Sequence, residues 1–213
     1  MKQTELNKFL GKALKSAGKV YGWRSAGGFL FKPLDELFFS LTFASSARAH
    51  SLHYTLRFKW RLLDDMQWLV LGMSDNSNGP MSLRANGAFS VRGQELFGES
   101  VRECIWSEEW VDHNITRIVE EANEKVKVTS QQITSIDDFM AFAEEEHLRL
   151  LQRSPKAVVT LWRERLLTHL IKNQFTEAAA IAEQRIAARD SGSFIVDGHS
   201  FFELARRHIS AIA

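Results

Sequence analysis

The chain has 213 residues, 45% hydrophobic and 25% charged, with a formal net charge of +1. It is long enough to bury a real core as one large domain or two small ones, and the near-balance of charge excludes the basic density of a dedicated nucleic-acid binder. One cysteine, Cys104, excludes an internal disulfide and a multi-thiolate metal site, and no run approaches the roughly 20 apolar residues of a membrane span.

The first segment, residues 1–18, is amphipathic. Leu6, Phe9, Leu10, Ala13, Leu14 and Ala17 make one apolar stripe, Lys8, Lys12 and Lys15 lie opposite, Thr4 is the expected cap and Gly18 the expected stop. It has no apolar signal core, so a soluble cytoplasmic protein is expected. Strand-like text follows: Val20 to Arg24, a Gly27-Gly28 turn, then Phe29 to Lys32, ended by Pro33.

The strongest signal runs from Glu36 to Trp60. Leu37, Phe39, Leu41 and Phe43 alternate in one segment, and Leu52, Tyr54, Leu56, Phe58 and Trp60 in the next. Side chains of a strand alternate sides, so each segment has an apolar face, and the short polar link from Ala44 to Ser51 suits antiparallel pairing. Leu62 to Val70 then recurs at helical spacing, although Trp68 to Met73 also suits a buried strand. Asp75 to Pro80 reads as a loop, and Ala88 to Val91 with a run near Leu96 as short completing strands.

From Ser107 the pattern is helical almost to the end. Helices are expected after Ser107, after Ser135, from Pro155 through Ile171, over Phe175 to Ala188 and over Ser200 to Ile212, with a break at residues 191–198. Residues 166–192 resemble one helical hairpin of a tetratricopeptide-type repeat, but solenoids need several copies, so a plain bundle is the simpler expectation. The fold class is therefore α+β: an N-terminal helix on an antiparallel sheet, followed by a C-terminal helical bundle. The expected division is a sheet domain at 1–105 and an all-helical region at 106–213 docked on it. Charge supports this, with 13 Lys/Arg against 8 Asp/Glu in residues 1–100 and 14 against 18 in residues 101–213.

No decisive catalytic motif stands in the chain. There is no HExxH, GxSxG, GxGxxG or GxxxxGK[ST]. His50 and His53, three apart on an extended chain, point to opposite faces and do not chelate together. No metal and no cofactor are expected. Asp64-Asp65 and Glu108-Glu109 are adjacent acids, which diverge by about 100° on a helix. Arg102 near Cys104 favours an activated thiol, whereas Ile105 and Trp106 beside it favour a buried structural one.

The polar face of the second central strand has more content. His53, Thr55, Arg57 and Lys59 alternate with the apolar residues, and Lys32, Arg61, Arg84 and Arg92 are candidates to extend the row. A solvated sheet face accounts for it; the sharper expectation is a partner-binding patch of His53, Arg57, Lys59, Arg61 and Arg84 that receives an acidic protein or an anion. Aromatics interleaved on that same face would suit RNA; here they fall on the apolar face, against a nucleic-acid partner.

Three runs, LNKFLGKALKSAG, VYGWRSAGGFLFKP, and the strand pair ELFFSLTF with LHYTLRFKW, together resemble an uncharacterised bacterial domain-of-unknown-function family. The resemblance covers about half the chain and implies no assigned active site. Proteins of this style are similar, in size and in lacking a catalytic signature, to immunity proteins that neutralise secreted bacterial toxins. The expected function is therefore non-enzymatic: an immunity-type inhibitor that binds a protein partner, with no membrane association. Two alternatives stay open. One is an enzyme or nucleotide- or anion-binding protein with His53, Arg57, Lys59 and Arg84 as anion ligands and Asp64 or Asp65 as base. The other is a scaffold using the C-terminal helical hairpin.

Overall fold

A computed structural model describes residues 2–86, 89–157 and 160–212. The order is α1 (Gln3–Val20), β1 (Arg24–Ala26), β2 (Phe29–Leu34), β3 (Leu37–Ser46), β4 (Ser51–Trp60), α2 (Leu62–Val70), a 3-10 turn (Ser74–Asn78), α3 (Leu83–Asn86) and β5 (Gln94–Val101). Then come α4 (Glu108–Gln132), α5 (Ile136–Arg153), α6 (Trp162–Ile171), α7 (Phe175–Ala187), a small hairpin of β6 (Ile195–Val196) and β7 (His199–Ser200), and α8 (Phe201–Ile212). The chain is α+β, with five strands in the sequential order β1-β2-β3-β4-β5.

Two compact units emerge, and each is discontinuous in sequence. The first is 1–59 with 93–134; the second is 60–92 with 135–213. They divide the chain differently from the expected 1–105 and 106–213. The long helix α4 belongs with the sheet, because it packs on α1 and β3, and α2 belongs with the C-terminal helices, because it packs on α6 and α8. Divided this way the charge asymmetry disappears: the first unit carries 14 Lys/Arg against 12 Asp/Glu, the second 13 against 14.

In the first unit, Leu30 stands opposite Leu41, Lys32 opposite Phe39 and Leu34 opposite Leu37. Phe39 stacks on Phe58, and Phe43 lies against Tyr54. The expected apolar faces of β3 and β4 thus coincide, and α1 and α4 pack over them. Helix α1 runs two residues past Gly18, which is buried there because a Cβ would meet Leu30 and Trp23 at 3.0–3.3 Å. Gly27 and Gly28 both take positive φ in the β1–β2 turn, where their lack of a side chain is needed. Pro33 stays inside β2 rather than ending it, because β1 reaches only as far as the Arg24–Phe31 pair and asks no N–H of residue 33.

Among its described residues, the regular structure of the second unit is helical apart from the hairpin of β6 and β7, two residues each, and the last residue of β4, Trp60. Residues 68–70 belong to α2, not to a strand, and Leu63, Trp68 and Val70 are buried. The expected helix from Pro155 begins only at Trp162; Val158 and Val159 lie outside the described residues, as does Ala88 of the expected strand near Val91. Ser135 caps α5 through a reciprocal box, its hydroxyl accepting from the Asp138 N–H (3.1 Å) while its own N–H donates to the Asp138 carboxylate (2.9 Å). Helices α6 and α7 form the expected hairpin, and α8 packs on α7.

Candidate functional site

The five cationic or imidazole residues are divided between the two units. His53, Arg57 and Lys59 fall in the first unit, Arg61 and Arg84 in the second. His53 is exposed, its Nδ1 3.0 Å from the Ser100 hydroxyl on β5 and its Nε2 3.2 Å from the Thr55 hydroxyl. Arg57 stands opposite Glu95 across the β4–β5 pair and donates to its carboxylate at 2.8 Å. Lys59 is interior, 2% exposed, with its ammonium 5.7 Å from the centre of the Phe38 ring. Phe38 stacks in turn on Phe31, so this end of the supposedly solvated face is aromatic and buried. Strict alternation along β3 missed it because Phe38 sits between two apolar neighbours.

Arg84 is also interior, 6% exposed. It donates to Asp65 (2.6 Å) and to the Arg61 carbonyl (3.0 Å), lies 3.6 Å from Asp64, and stacks 5.1 Å from the centre of Trp68. Asp64 accepts the Val91 N–H at 2.7 Å. The paired acids of α2, candidates for a base, thus clamp α2 to the segment that follows it. Lys32 lies on the helix-covered face and donates to the Tyr21 carbonyl (2.8 Å) and Asn123 (3.0 Å); burial lowers its pKa.

At the β3–β4 turn a depression of about 460 Å³ is lined by Ala49, His50, Ser51, Arg102 and Glu103. His50 and Glu103 both hold positive φ, and Cys104 ties them: its N–H donates to the His50 carbonyl (2.8 Å) and its carbonyl accepts from His50 Nδ1 (3.1 Å). That bond leaves Nε2 of a neutral ring as an acceptor, and Glu103 adds a carboxylate, a poor pairing for an anion. Burial pushes the Cys104 thiol up, opposite to an activated nucleophile. Among the described residues no three His, Cys, Asp or Glu side chains gather as a metal site.

One exposed stretch of the first unit is predominantly acidic, whereas α1 exposes Lys8, Lys12, Lys15 and Lys19. Along residues 95–112, Glu95, Glu99, Glu103, Glu108, Glu109 and Asp112 are all exposed, against Arg102 alone within the stretch and Arg57 from β4 beside it. Glu99 accepts the Tyr54 hydroxyl at 2.8 Å, and burial, reinforced by that bond, pushes the phenol to about 12. Glu108 and Glu109 stand in the first turn of α4, where the helix dipole favours them, and Ser107 caps that turn from the Trp110 N–H. Just before it, Ile105 is 63% exposed. No family model, curated protein or solved structure matches the chain. The arrangement is thus to be judged on its own chemistry: a carboxylate border on an open sheet edge, readable in the sequence as six acids in eighteen residues but dispersed in the charge total of the C-terminal half. No helix of the described residues is long and apolar enough to cross a membrane.

Proposed function

We propose that this chain is a non-enzymatic cytoplasmic interaction protein of the immunity type, which holds a basic toxin by the carboxylate border of its first unit and occludes the toxin's active site. The observation that carries it is the exposed run from Glu95 to Asp112, six carboxylates with one intervening arginine. Like charges gathered on one border raise the rate of encounter with a cationic partner and disfavour acidic ones. The toxin as partner follows the analogy with immunity proteins; the acidic stretch supports a cationic contact surface on it. This reverses the acidic partner expected of a cationic row, because Lys59 and Arg84 are interior and Arg57 is already paired.

The test combines capture with inhibition. The whole chain and a Glu103→Lys, Glu108→Lys, Glu109→Lys variant are used as bait in lysate of the native host, and captured proteins are identified and assayed. The expected result is a basic protein whose activity the native chain suppresses, released by raised salt, and retained by the variant about ten-fold more weakly or worse. A partner with an acidic contact surface, or equal inhibition by a folded variant, overturns it.

A further inference from the structure

The sheet of the first unit is open on one side. Strand β5, eight residues long, is the last in the order β1-β2-β3-β4-β5, and its register runs from Leu52 opposite Val101 to Phe58 opposite Gln94. Among the described residues its backbone bonds to β4, and the only group bonding it from elsewhere is the Cys104 thiol on the Val101 carbonyl (3.5 Å). The opposite edge, β1, is three residues long. An unpaired edge presents alternating N–H and C=O groups to an incoming strand.

We infer that β5 accepts an extended lysine- or arginine-bearing segment of the partner as a sixth strand, an inference that rests on the acidic-border proposal and specifies how that border is used. A register shift between Leu56 and Arg57 leaves Leu96 unpaired and bends the start of the strand, so the regular docking run is Phe97 to Val101. Residues directly opposite on neighbouring strands come within about 5 Å, close enough for charge to choose the occupant. Glu99 stands within that run on the face of Tyr54, so a cation on that face of the added strand meets a carboxylate, while Glu95 lies beyond the register shift and already pairs with Arg57. A second copy of this chain is disfavoured: parallel in-register pairing opposes Glu99 to Glu99, and so does antiparallel pairing centred on Glu99, the middle of the run. Backbone pairing supplies the affinity and the Glu99 carboxylate supplies the selection.

The test is an amide-shift titration of the isotope-labelled full chain with three synthetic decapeptides. One alternates lysine and valine, one is the same peptide with every backbone nitrogen methylated, and one alternates glutamate and valine. The expected result is shifts centred on residues 94–101 with the lysine peptide alone, weakened about ten-fold by Glu99→Lys. Equal binding of the methylated peptide overturns strand addition and leaves the acidic border standing. Equal binding of the glutamate peptide overturns the charge selection, and with it the acidic-border proposal. Shifts at β5 that appear on concentrating the chain alone make a second copy the occupant and overturn the inference, as does the absence of any shift with the lysine peptide.

Discussion

A charged side chain means opposite things at Lys59 and at Glu99, and only burial separates them. Lys59 lies over Phe38 in the interior, so Lys59→Glu puts a carboxylate where the structure holds an ammonium. A carboxylate buried against the negative face of a ring costs several kcal/mol, so this variant is expected to unfold at markedly lower urea, while Lys59→Met stays folded. Arg57→Glu, by contrast, removes a partly exposed pair with Glu95 and is expected to cost about 1 kcal/mol. Urea midpoints of the three variants rank them. Glu164 gives a pH-dependent case. It is 4% exposed, burial raises its pKa despite Arg163 nearby, and its Oε2 has no partner among the described residues. A carboxyl raised on folding contributes stability that is full below its unfolded value and is lost as pH rises through the folded one. Glu164→Gln is therefore expected to be more stable than the native chain at pH 7.5, by about 1–3 kcal/mol, with the difference shrinking toward about pH 4.5. A constant difference across that range would contradict it.

At the level of elements, the serine-capped helix starts were the readable ones, whereas the expected Thr4 cap lies inside α1, whose N-cap is Lys2, and the start expected at Pro155 came only at Trp162. Ser107 and Ser135 cap α4 and α5 as their sequences suggest, because a serine hydroxyl fits the unpaired N–H groups of a first turn and needs no distant partner. Ser135→Ala removes the box with Asp138 and is expected to lower stability by about 1 kcal/mol, read as a shift in thermal midpoint. Where an element depended on distant neighbours, local pattern was a weaker guide. Gly18 reads as a stop, yet its bare backbone is what lets α1 approach Leu30. Strand β5, with its alternation broken at Leu96, reads only as a short run, because its pairing with β4 contains the register shift.

For the whole molecule, the interleaving of units changes what a deletion can show. Removing residues 155–213 to test the helical-hairpin alternative takes away α6 and α8, against which α2 packs. Leu63 and Trp68 then lose their cover. The expected outcome is loss of amide protection along α2 in hydrogen exchange, with α1 and α4 in the first unit more slowly exchanging. A truncated chain that keeps α2 protected would show that its packing on α6 and α8 is dispensable. Point charges on β5 and α4 are therefore the cleaner probe of binding. The unit charges, 14 against 12 and 13 against 14, also show why a split at residue 100 misled: α4 carries its acids back to the sheet.

The amino-acid sequence alone settled the α+β class, the apolar face shared by β3 and β4, the serine caps of α4 and α5 and the absence of a cysteine framework. Each depends on periodicity or local geometry, which residues a few positions apart decide between themselves. Tertiary structure decided which polar side chains face water. Burial of Lys59 and Arg84 depends on Phe38, Trp68 and the Asp64-Asp65 pair standing beside them, and the exposure of Glu95 and Glu99 depends on β5 ending the sheet. Those are long-range juxtapositions, and hydrophobic periodicity carries no information about them.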